Sequence, residues 1–303
     1  MKHNTKITII LMLMFLITQL IGLAVIKEYT KTTLPYGMEP PEEMKKESSV
    51  ISILFAFVIA ITFLFLLMKI GADKFIRLWF FVVTAIALGL TLNIILFKLN
   101  IVYASVIAII IALPLAYLKV FNKNLLVHNF TELLIYPGIA AVFVPILGIL
   151  GITILLLVIS LYDIWAVWHS EFMQKMAKYQ INNLKFFTGF FIPYADKKTK
   201  SKIKFLKDKY KNKTEKFIQK ALKKAKIKIH LAILGGGDII FPIITAGVFY
   251  KFYGILPALI ITAFATLSLL FLFIIARKGK FYPAMPFLTI GMYLGMILSW
   301  IVF

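Results

Sequence analysis

Two aspartates lie inside apolar stretches that are long enough to cross a lipid bilayer. Asp163 follows Tyr162 in one stretch and Asp238 follows a run of glycines in another, whereas the other acidic residues lie in hydrophilic segments or at the ends of apolar ones. An ionisable group near the centre of a bilayer costs roughly 2.5–3.5 kcal/mol, so such groups face a protein interior or a wet cavity and usually serve function. The sequence therefore predicts that Asp163 and Asp238 carry the chemistry.

A pair of neighbouring carboxylates can perform general acid–base catalysis. The two groups tend to share one proton, because both cannot ionise cheaply when they are close together. The ionised group then takes a proton from water, which attacks a peptide carbonyl, while the protonated group donates to the carbonyl oxygen. The pair titrates as a unit, so the sequence does not assign base and acid. A proton- or cation-coupled secondary transporter could use the same aspartates for ion binding and remains the alternative.

Long apolar runs must position these aspartates. Hydrophobic residues make up 61% of the chain and its mean hydropathy is +0.92, and about 20 apolar residues cross the hydrocarbon core as a helix. We expect an all-α membrane protein with nine transmembrane helices in a six-plus-three arrangement. The expected spans are residues 7–26, 50–68, 78–97, 101–118, two spans within 133–168, and then 231–250, 254–276 and 281–303. The 133–168 run is too long for one span and is divided near Pro145, Gly148 and Gly151.

Basic residues predict the orientation and three domains. The domains are a six-span bundle at 1–168, a basic loop at 169–230 and a three-span bundle at 231–303, and the loop holds 18 of the 34 Lys and Arg residues. Lys and Arg concentrate on the cytoplasmic side of membrane proteins. A cytoplasmic N-terminus places 28 basic residues inside and 6 outside, so we expect the N-terminus and the loop to face the cytoplasm of a multi-pass protein in the cell membrane.

The basic loop contains two further patterns. Apolar residues recur among its lysines at roughly helical spacing, which is typical either of a basic amphipathic helix on the inner leaflet or of a solvated tether. These residues are Ile203, Leu206, Tyr210, Phe217, Ile218 and Leu222. An aromatic run before Pro193 is expected to anchor the loop at the membrane interface, and it consists of Phe186, Phe187, Phe190 and Phe191.

Composition also excludes several kinds of site. The chain has no cysteine, which excludes disulfides, thiol catalysis and Cys-ligated metals. Its four histidines lack metal-ligand spacing. We therefore expect no metal and no cofactor. The net charge of +21 comes largely from the loop beside the spans, where a basic segment marks the inner membrane face, so we expect the lipid bilayer and not nucleic acid as its partner.

Two short motifs lie near the aspartates or near the C-terminus. Gly235, Gly236 and Gly237 precede Asp238, and residues without Cβ let a substrate backbone approach closely or loosen a helix, although small residues also serve tight helix packing. A second motif opens the ninth span and consists of Pro283, Ala284, Met285 and Pro286. Two prolines can leave backbone groups free for a partner, but proline also commonly marks a helix start.

Together these motifs resemble the presenilin and signal peptide peptidase family of intramembrane aspartyl proteases. Three motifs occur in the family's order: the Tyr-Asp pair at 162–163, the Gly-x-Gly-Asp motif at 235–238 and a Pro-Ala-Leu-like element at 283–285. The third motif departs from the family pattern, because Met285 replaces the usual leucine. A literal Pro-Ala-Leu stands at 257–259, but on the wrong span. The resemblance implies a catalytic dyad of Asp163 and Asp238, with Tyr162 and Gly235 to Gly237 lining it and residues 283–286 positioning substrate.

The resemblance also implies a substrate and a setting. The orientation from the charge count is that of the presenilin branch, which implies cleavage of single-span substrates whose N-terminus lies outside. The lack of cysteine and the predominance of lysine over arginine are similar to what a prokaryotic, archaeal-type homologue would show. Such a homologue implies activity without an obligatory accessory subunit, on the transmembrane helix of a substrate protein.

Overall fold

Long helices make up most of the described chain. The structure is a computed structural model that describes residues 5–38, 50–122, 124–169, 188–194, 199, 201, 230–276 and 282–303. Nine helices and two strands occur within these ranges. In chain order they are α1 (Thr5–Tyr29), α2 (Val50–Lys69), α3 (Asp73–Lys98), α4 (Ala104–Phe121), α5 (Leu125–Phe143), α6 (Ile149–Trp168), β1 (Gly189–Tyr194), β2 (His230–Gly235), α7 (Gly236–Tyr253), α8 (Ile255–Ile275) and α9 (Met285–Val302).

Seven helices of the described chain are long and apolar enough to cross a membrane, namely α1, α3, α4, α5, α6, α8 and α9. Each has at least 18 residues, and a rise of 1.5 Å per residue gives 18 residues a length of about 27 Å, close to the hydrocarbon thickness. The chain is therefore an integral, multi-pass membrane protein. Because α2 and α7 are not among the seven, the passage of nine helices through the membrane remains a prediction.

Residues 231–235 form a strand and not the start of the seventh span. β2 pairs antiparallel with β1, in a register that runs from Gly189 opposite Gly235 to Tyr194 opposite His230. Ala232 and Leu234 are buried, while Leu231 and Ile233 are exposed, which is the two-residue period of a strand. The prediction of an all-α chain was wrong for this segment, because an apolar run this short fits strand and helix alike. The helix begins only at Gly236.

The first strand also corrects the role expected for the aromatic run. Phe190 is fully buried in the main core, so its ring packs inside the protein and does not face lipid. Its neighbour Phe191 lies in the same strand, whereas Phe186 and Phe187 lie outside the described residues. The expected amphipathic pattern between 203 and 222 lies outside them as well. The ninth helix begins at Met285 and not at residue 281.

The main core joins helices from the first and the last parts of the chain. α1 packs against α5, α7 and α8, and α9 packs against α6, α7 and α8. In the first part, α5 also packs closely on α3, since a Cβ built on Gly138 would lie 2.0 Å from the Ala87 carbonyl oxygen. Small residues permit such backbone contacts between membrane helices. This packing brings α5, α6, α7 and α9 around one region. The predicted division at 168 and 230 stays a prediction.

Candidate active site

Asp163 lies in the last part of α6, five residues before the helix ends at Trp168. Its side chain is buried, with 6% of the residue exposed. The Met285 backbone N–H donates to Asp163 Oδ2 at 3.0 Å, so the carboxylate is tied to the first residue of α9. One turn earlier, Ser160 Oγ donates to Thr289 Oγ1 at 2.7 Å. These bonds hold the aspartate at the contact between α6 and α9.

Asp238 lies in the first turn of α7, just after the strand β2. Gly235 is the N-cap residue and has an extended backbone. A Cβ built on Gly235 would lie 3.1 Å from Asp238 Oδ2, so the carboxylate folds back towards the end of the strand. The side chain is partly buried. Asp238 is therefore the third residue of its helix. The seventh span predicted from sequence, which began at residue 231, had placed it eight residues into the helix.

The two aspartates lie near enough to interact electrostatically. α7 packs against α6, and both helices contact α9. The structure therefore brings together the two carboxylates that the sequence singled out, although 75 residues separate them in the chain. Close carboxylates in an apolar surrounding favour a shared proton, and this is the state that general acid–base catalysis needs.

The three glycines before Asp238 have different neighbours. A Cβ on Gly236 would lie 2.8 Å from the Tyr136 hydroxyl oxygen, closer than real Cβ contacts allow. A Cβ on Gly237 would meet only the Phe241 ring, at an ordinary 3.9 Å. A side chain at Gly236 would therefore displace the Tyr136 hydroxyl, and one at Gly235 would crowd the Asp238 carboxylate, whereas the structure gives no packing reason for Gly237.

The remaining predicted site residues lie close to Asp163 along the chain or through α9. Tyr162 is partly buried, and its ring centroid lies 6.4 Å from that of Trp165. Pro283 and Met285 are buried, whereas Ala284 and Pro286 are partly buried. Among these four residues, the Met285 N–H donates to Asp163 Oδ2. Contact of any of these residues with substrate remains a prediction.

A buried charged cluster beside the strands was missed by the sequence reading. Lys119 of α4 forms an ion pair with Glu132 of α5, and the two residues are only 4% and 1% exposed. His128 Nε2 lies 3.8 Å from Glu132 Oε1. The fifth span was predicted to begin at residue 133, which left Glu132 outside it. Asn124 was the available signal, because its side chain caps α5 by accepting from Leu126 N–H, as N-cap residues do.

The same face of α5 holds the outer edge of β1. Asn129 Nδ2 donates to the Phe191 carbonyl at 2.9 Å, and the Phe191 N–H donates to Asn129 Oδ1 at 3.0 Å. His128 Nε2 donates to the Gly189 carbonyl at 2.9 Å. The α5 side chains thus replace a neighbouring strand on this edge. In the described part of the chain, no group of three or more His, Asp or Glu side chains could hold a metal ion.

Comparison with known proteins places these features in a known group. The family model described as "Signal-peptide peptidase, presenilin aspartyl protease" matches residues 12–303. Two solved structures of a presenilin family intramembrane aspartate protease, in the C222 and P2 space groups, are similar to this chain, each with 19% sequence identity. The first has a TM-score of 0.63 and covers 98% of this chain and 99% of its own. The second has a TM-score of 0.61 and covers 97% of each. No curated protein matches.

Proposed function

Because this chain belongs to the signal-peptide peptidase and presenilin family of aspartyl proteases, we propose that it hydrolyses peptide bonds within the transmembrane helices of single-span membrane proteins, with Asp163 and Asp238 as its dyad. The observation that carries the proposal is the position of these two carboxylates on the packed helices α6 and α7, near enough to interact electrostatically. Aspartates in such surroundings are costly and are retained for function.

The dyad acts on water and on the peptide bond. One carboxylate takes a proton from water as the water oxygen bonds to the scissile carbonyl carbon, and the protonated partner donates to the carbonyl oxygen. When the tetrahedral diol collapses, the C–N bond breaks, the nitrogen takes up the proton that the first carboxylate accepted from water, and one hydroxyl of the diol returns its proton to the second carboxylate, which restores the dyad. The base and the acid are not assigned individually, since the pair titrates as a unit. The N–H of Met285 occupies one oxygen of Asp163 and holds that side chain in place for the reaction.

The substrate segment adds to the outer edge of β2, which pairs with no third strand in the described part of the chain. A substrate helix must unwind before its carbonyl can be attacked, and an extended segment can pair with an exposed strand edge. Phe191 directs its N–H and C=O to Asn129 and not to β2. In an antiparallel pair, the backbone N–H and C=O of the directly opposite residue then also point away from the partner strand. The residue opposite Phe191 is Ile233. By the same two-residue alternation, the backbone N–H and C=O groups of Leu231 and Gly235 also face away from β1.

The opposite edge of the sheet is closed. Asn129 and His128 occupy the outward groups of Phe191 and Gly189, and Pro193 has no N–H to offer. Within the described residues the sheet has only two strands, so a substrate strand can join only at β2. β2 leads directly into α7, with Asp238 three residues after Gly235. Pairing at Leu231 and Ile233 therefore leads the substrate backbone towards the dyad, where Tyr162 and residues 283–286 line it.

The same proposal includes the membrane arrangement. Nine helices cross the cell membrane, with the N-terminus and the 169–230 loop in the cytoplasm, because this orientation places 28 basic residues inside and 6 outside. Substrates then have their N-terminus outside, and the enzyme acts without an obligatory accessory subunit.

Cleavage in liposomes tests the dyad. The purified chain is reconstituted with a helical single-span substrate labelled at both ends, and the native protein is compared with Asp163→Asn, Asp238→Asn and the control Asp73→Asn on α3. Asparagine keeps the size of aspartate and an oxygen for the Met285 N–H. We expect a loss of about 10²- to 10⁴-fold in each dyad variant and none in the control. Persistent cleavage in either dyad variant refutes the proposal. If the native protein cuts no substrate in a varied panel and an aspartate substitution abolishes proton- or cation-coupled uptake, transport is the function.

A further inference from the structure

Tyr136 is a buried tyrosine at the junction of α5, β1 and α7. Only 4% of the residue is exposed. Its ring packs edge-on against Phe190 of β1, with centroids 6.3 Å apart. Its hydroxyl oxygen would lie 2.8 Å from a Cβ on Gly236, which is two residues before Asp238. The side chain therefore fills the space that the middle glycine leaves open.

The hydroxyl of Tyr136 is buried, and no acceptor among the described residues meets full hydrogen-bond geometry with it, although the Glu132 carboxylate lies near enough to interact with it as an acceptor. Buried polar groups are nearly always hydrogen-bonded, and an unpaired one is costly and calls for an explanation. The tyrosine interacts electrostatically with two carboxylates, Glu132 and Asp238. These two groups are the candidate acceptors for its proton.

The two carboxylates differ in what they already bind. Glu132 forms an ion pair with Lys119 and also faces His128. Asp238 accepts a hydrogen bond from the Gly235 backbone N–H but is in no ion pair within the described part of the chain. A hydroxyl gains most from an ionised acceptor without a cationic partner, because hydrogen bonds to charged groups are the stronger ones. Asp238 is thus the better acceptor whenever it is ionised.

We propose that Tyr136 is a positioning residue of the dyad, whose hydroxyl donates a hydrogen bond to the ionised Asp238 carboxylate during turnover. This inference rests on the proposed function, since it concerns the same dyad. It assigns Gly236 a role as well, because any side chain at that position would push the hydroxyl away from the start of α7. Tyr136 touches neither substrate nor water in this scheme and acts through Asp238.

The test is Tyr136→Phe, which keeps the ring and removes only the hydroxyl. We expect kcat to fall about tenfold to a hundredfold, the range for one hydrogen bond to a charged group, with KM unchanged. We also expect the melting temperature to stay the same or to rise, because a buried hydroxyl without a well-formed hydrogen bond contributes little to the stability of the resting fold. A purely structural role, with the hydroxyl bonded to Glu132, would instead lower the melting temperature and leave kcat unchanged.

Tyr29→Phe is the matched control. Tyr29 is also buried, and its hydroxyl donates to the Leu90 carbonyl at 2.8 Å, between α1 and α3. We expect this variant to lose stability and to keep its kcat. An unchanged kcat in Tyr136→Phe, while Asp238→Asn is inactive, overturns the inference and leaves the dyad proposal standing. If the aspartate variants all keep their activity, the dyad proposal itself is overturned.

If kcat and the melting temperature of Tyr136→Phe both fall, a double-mutant cycle distinguishes a positioning role of the hydroxyl from a structural one. Gly236→Ala is made in the native chain and in the Tyr136→Phe background. If the added methyl group acts by displacing the hydroxyl, its effect on kcat is large in the native chain and much smaller in the second background. Equal, additive losses in the two backgrounds overturn the inference, because independent effects add.

Discussion

Asn129 provides a sharp test of the idea that a docked β1–β2 sheet presents the substrate. Its side-chain amide makes two hydrogen bonds to the backbone of Phe191, one to the carbonyl at 2.9 Å and one from the N–H at 3.0 Å. The perturbation is Asn129→Ala, which removes both bonds and leaves α5 helical, because alanine is the best helix former. The strand then loses its side-chain clamp while its pairing with β2 is retained.

The magnitude follows from the number of bonds. A typical hydrogen bond contributes about 0.5–1.5 kcal/mol net, so the two bonds stabilise the docked sheet by about 2 kcal/mol. At 1.36 kcal/mol for each tenfold change, the docking equilibrium shifts by about thirtyfold. We expect kcat/KM for a helical substrate to fall by up to this factor, and by less if docking is strongly favoured in the native chain.

Two measurements check the prediction together. Cleavage of a labelled single-span substrate in liposomes gives kcat/KM, and hydrogen exchange of the β1 amides reports whether the strand opens more often. The control is Asn93→Ala, because Asn93 Nδ2 donates to the Tyr29 hydroxyl at 3.1 Å, which joins α3 to α1 and does not involve the sheet. We expect no change in cleavage for the control. If exchange in β1 accelerates in Asn129→Ala while cleavage stays at the native rate, the sheet does not present the substrate.

Two further predictions concern packing and buried charge. Gly138→Ala should destabilise the fold by about 1–3 kcal/mol or more, because its Cβ would meet a backbone carbonyl of α3 that cannot move aside. Thermal unfolding in detergent compares this variant with Gly148→Ala, where nothing lies within 4 Å of the new Cβ. Equal melting temperatures of the two variants would contradict the prediction. Glu132→Gln should lower the free energy of unfolding by about 3–5 kcal/mol, since it leaves the buried Lys119 charge without its partner. Combining it with Lys119→Met should recover most of that stability. If the double variant is no more stable than Glu132→Gln, the broken ion pair is not the cause of the loss.

The catalytic candidates were visible in the sequence because their signal is local. An aspartate within an apolar run of membrane length is unusual wherever the helix packs, so Asp163 and Asp238 could be recognised without a fold. The positions of the helices followed from hydrophobic length for the same reason. The family match over residues 12–303 confirms the recognition drawn from the motif order.

The boundaries near the site were less predictable because local and tertiary signals compete there. The run from Leu231 to Gly235 fits either a strand or a helix end, and pairing with a strand some 40 residues earlier in the chain decides between them. Glu132 could have been placed inside its helix only by recognising the cap at Asn124. Its partner Lys119 belongs to another helix, so no spacing along the chain revealed the pair.

Sequence alone therefore singled out the two aspartates as candidates and identified the chain as a bundle of long apolar segments, because the cost of a charge in lipid and the thickness of a bilayer act on each segment separately. Only the tertiary structure decided that Asp163 is bonded to the start of α9, that Asn129 closes one edge of the sheet, and that Tyr136 lies against Gly236. Each of these features joins residues that are distant in the chain, and their contacts depend on how the helices pack.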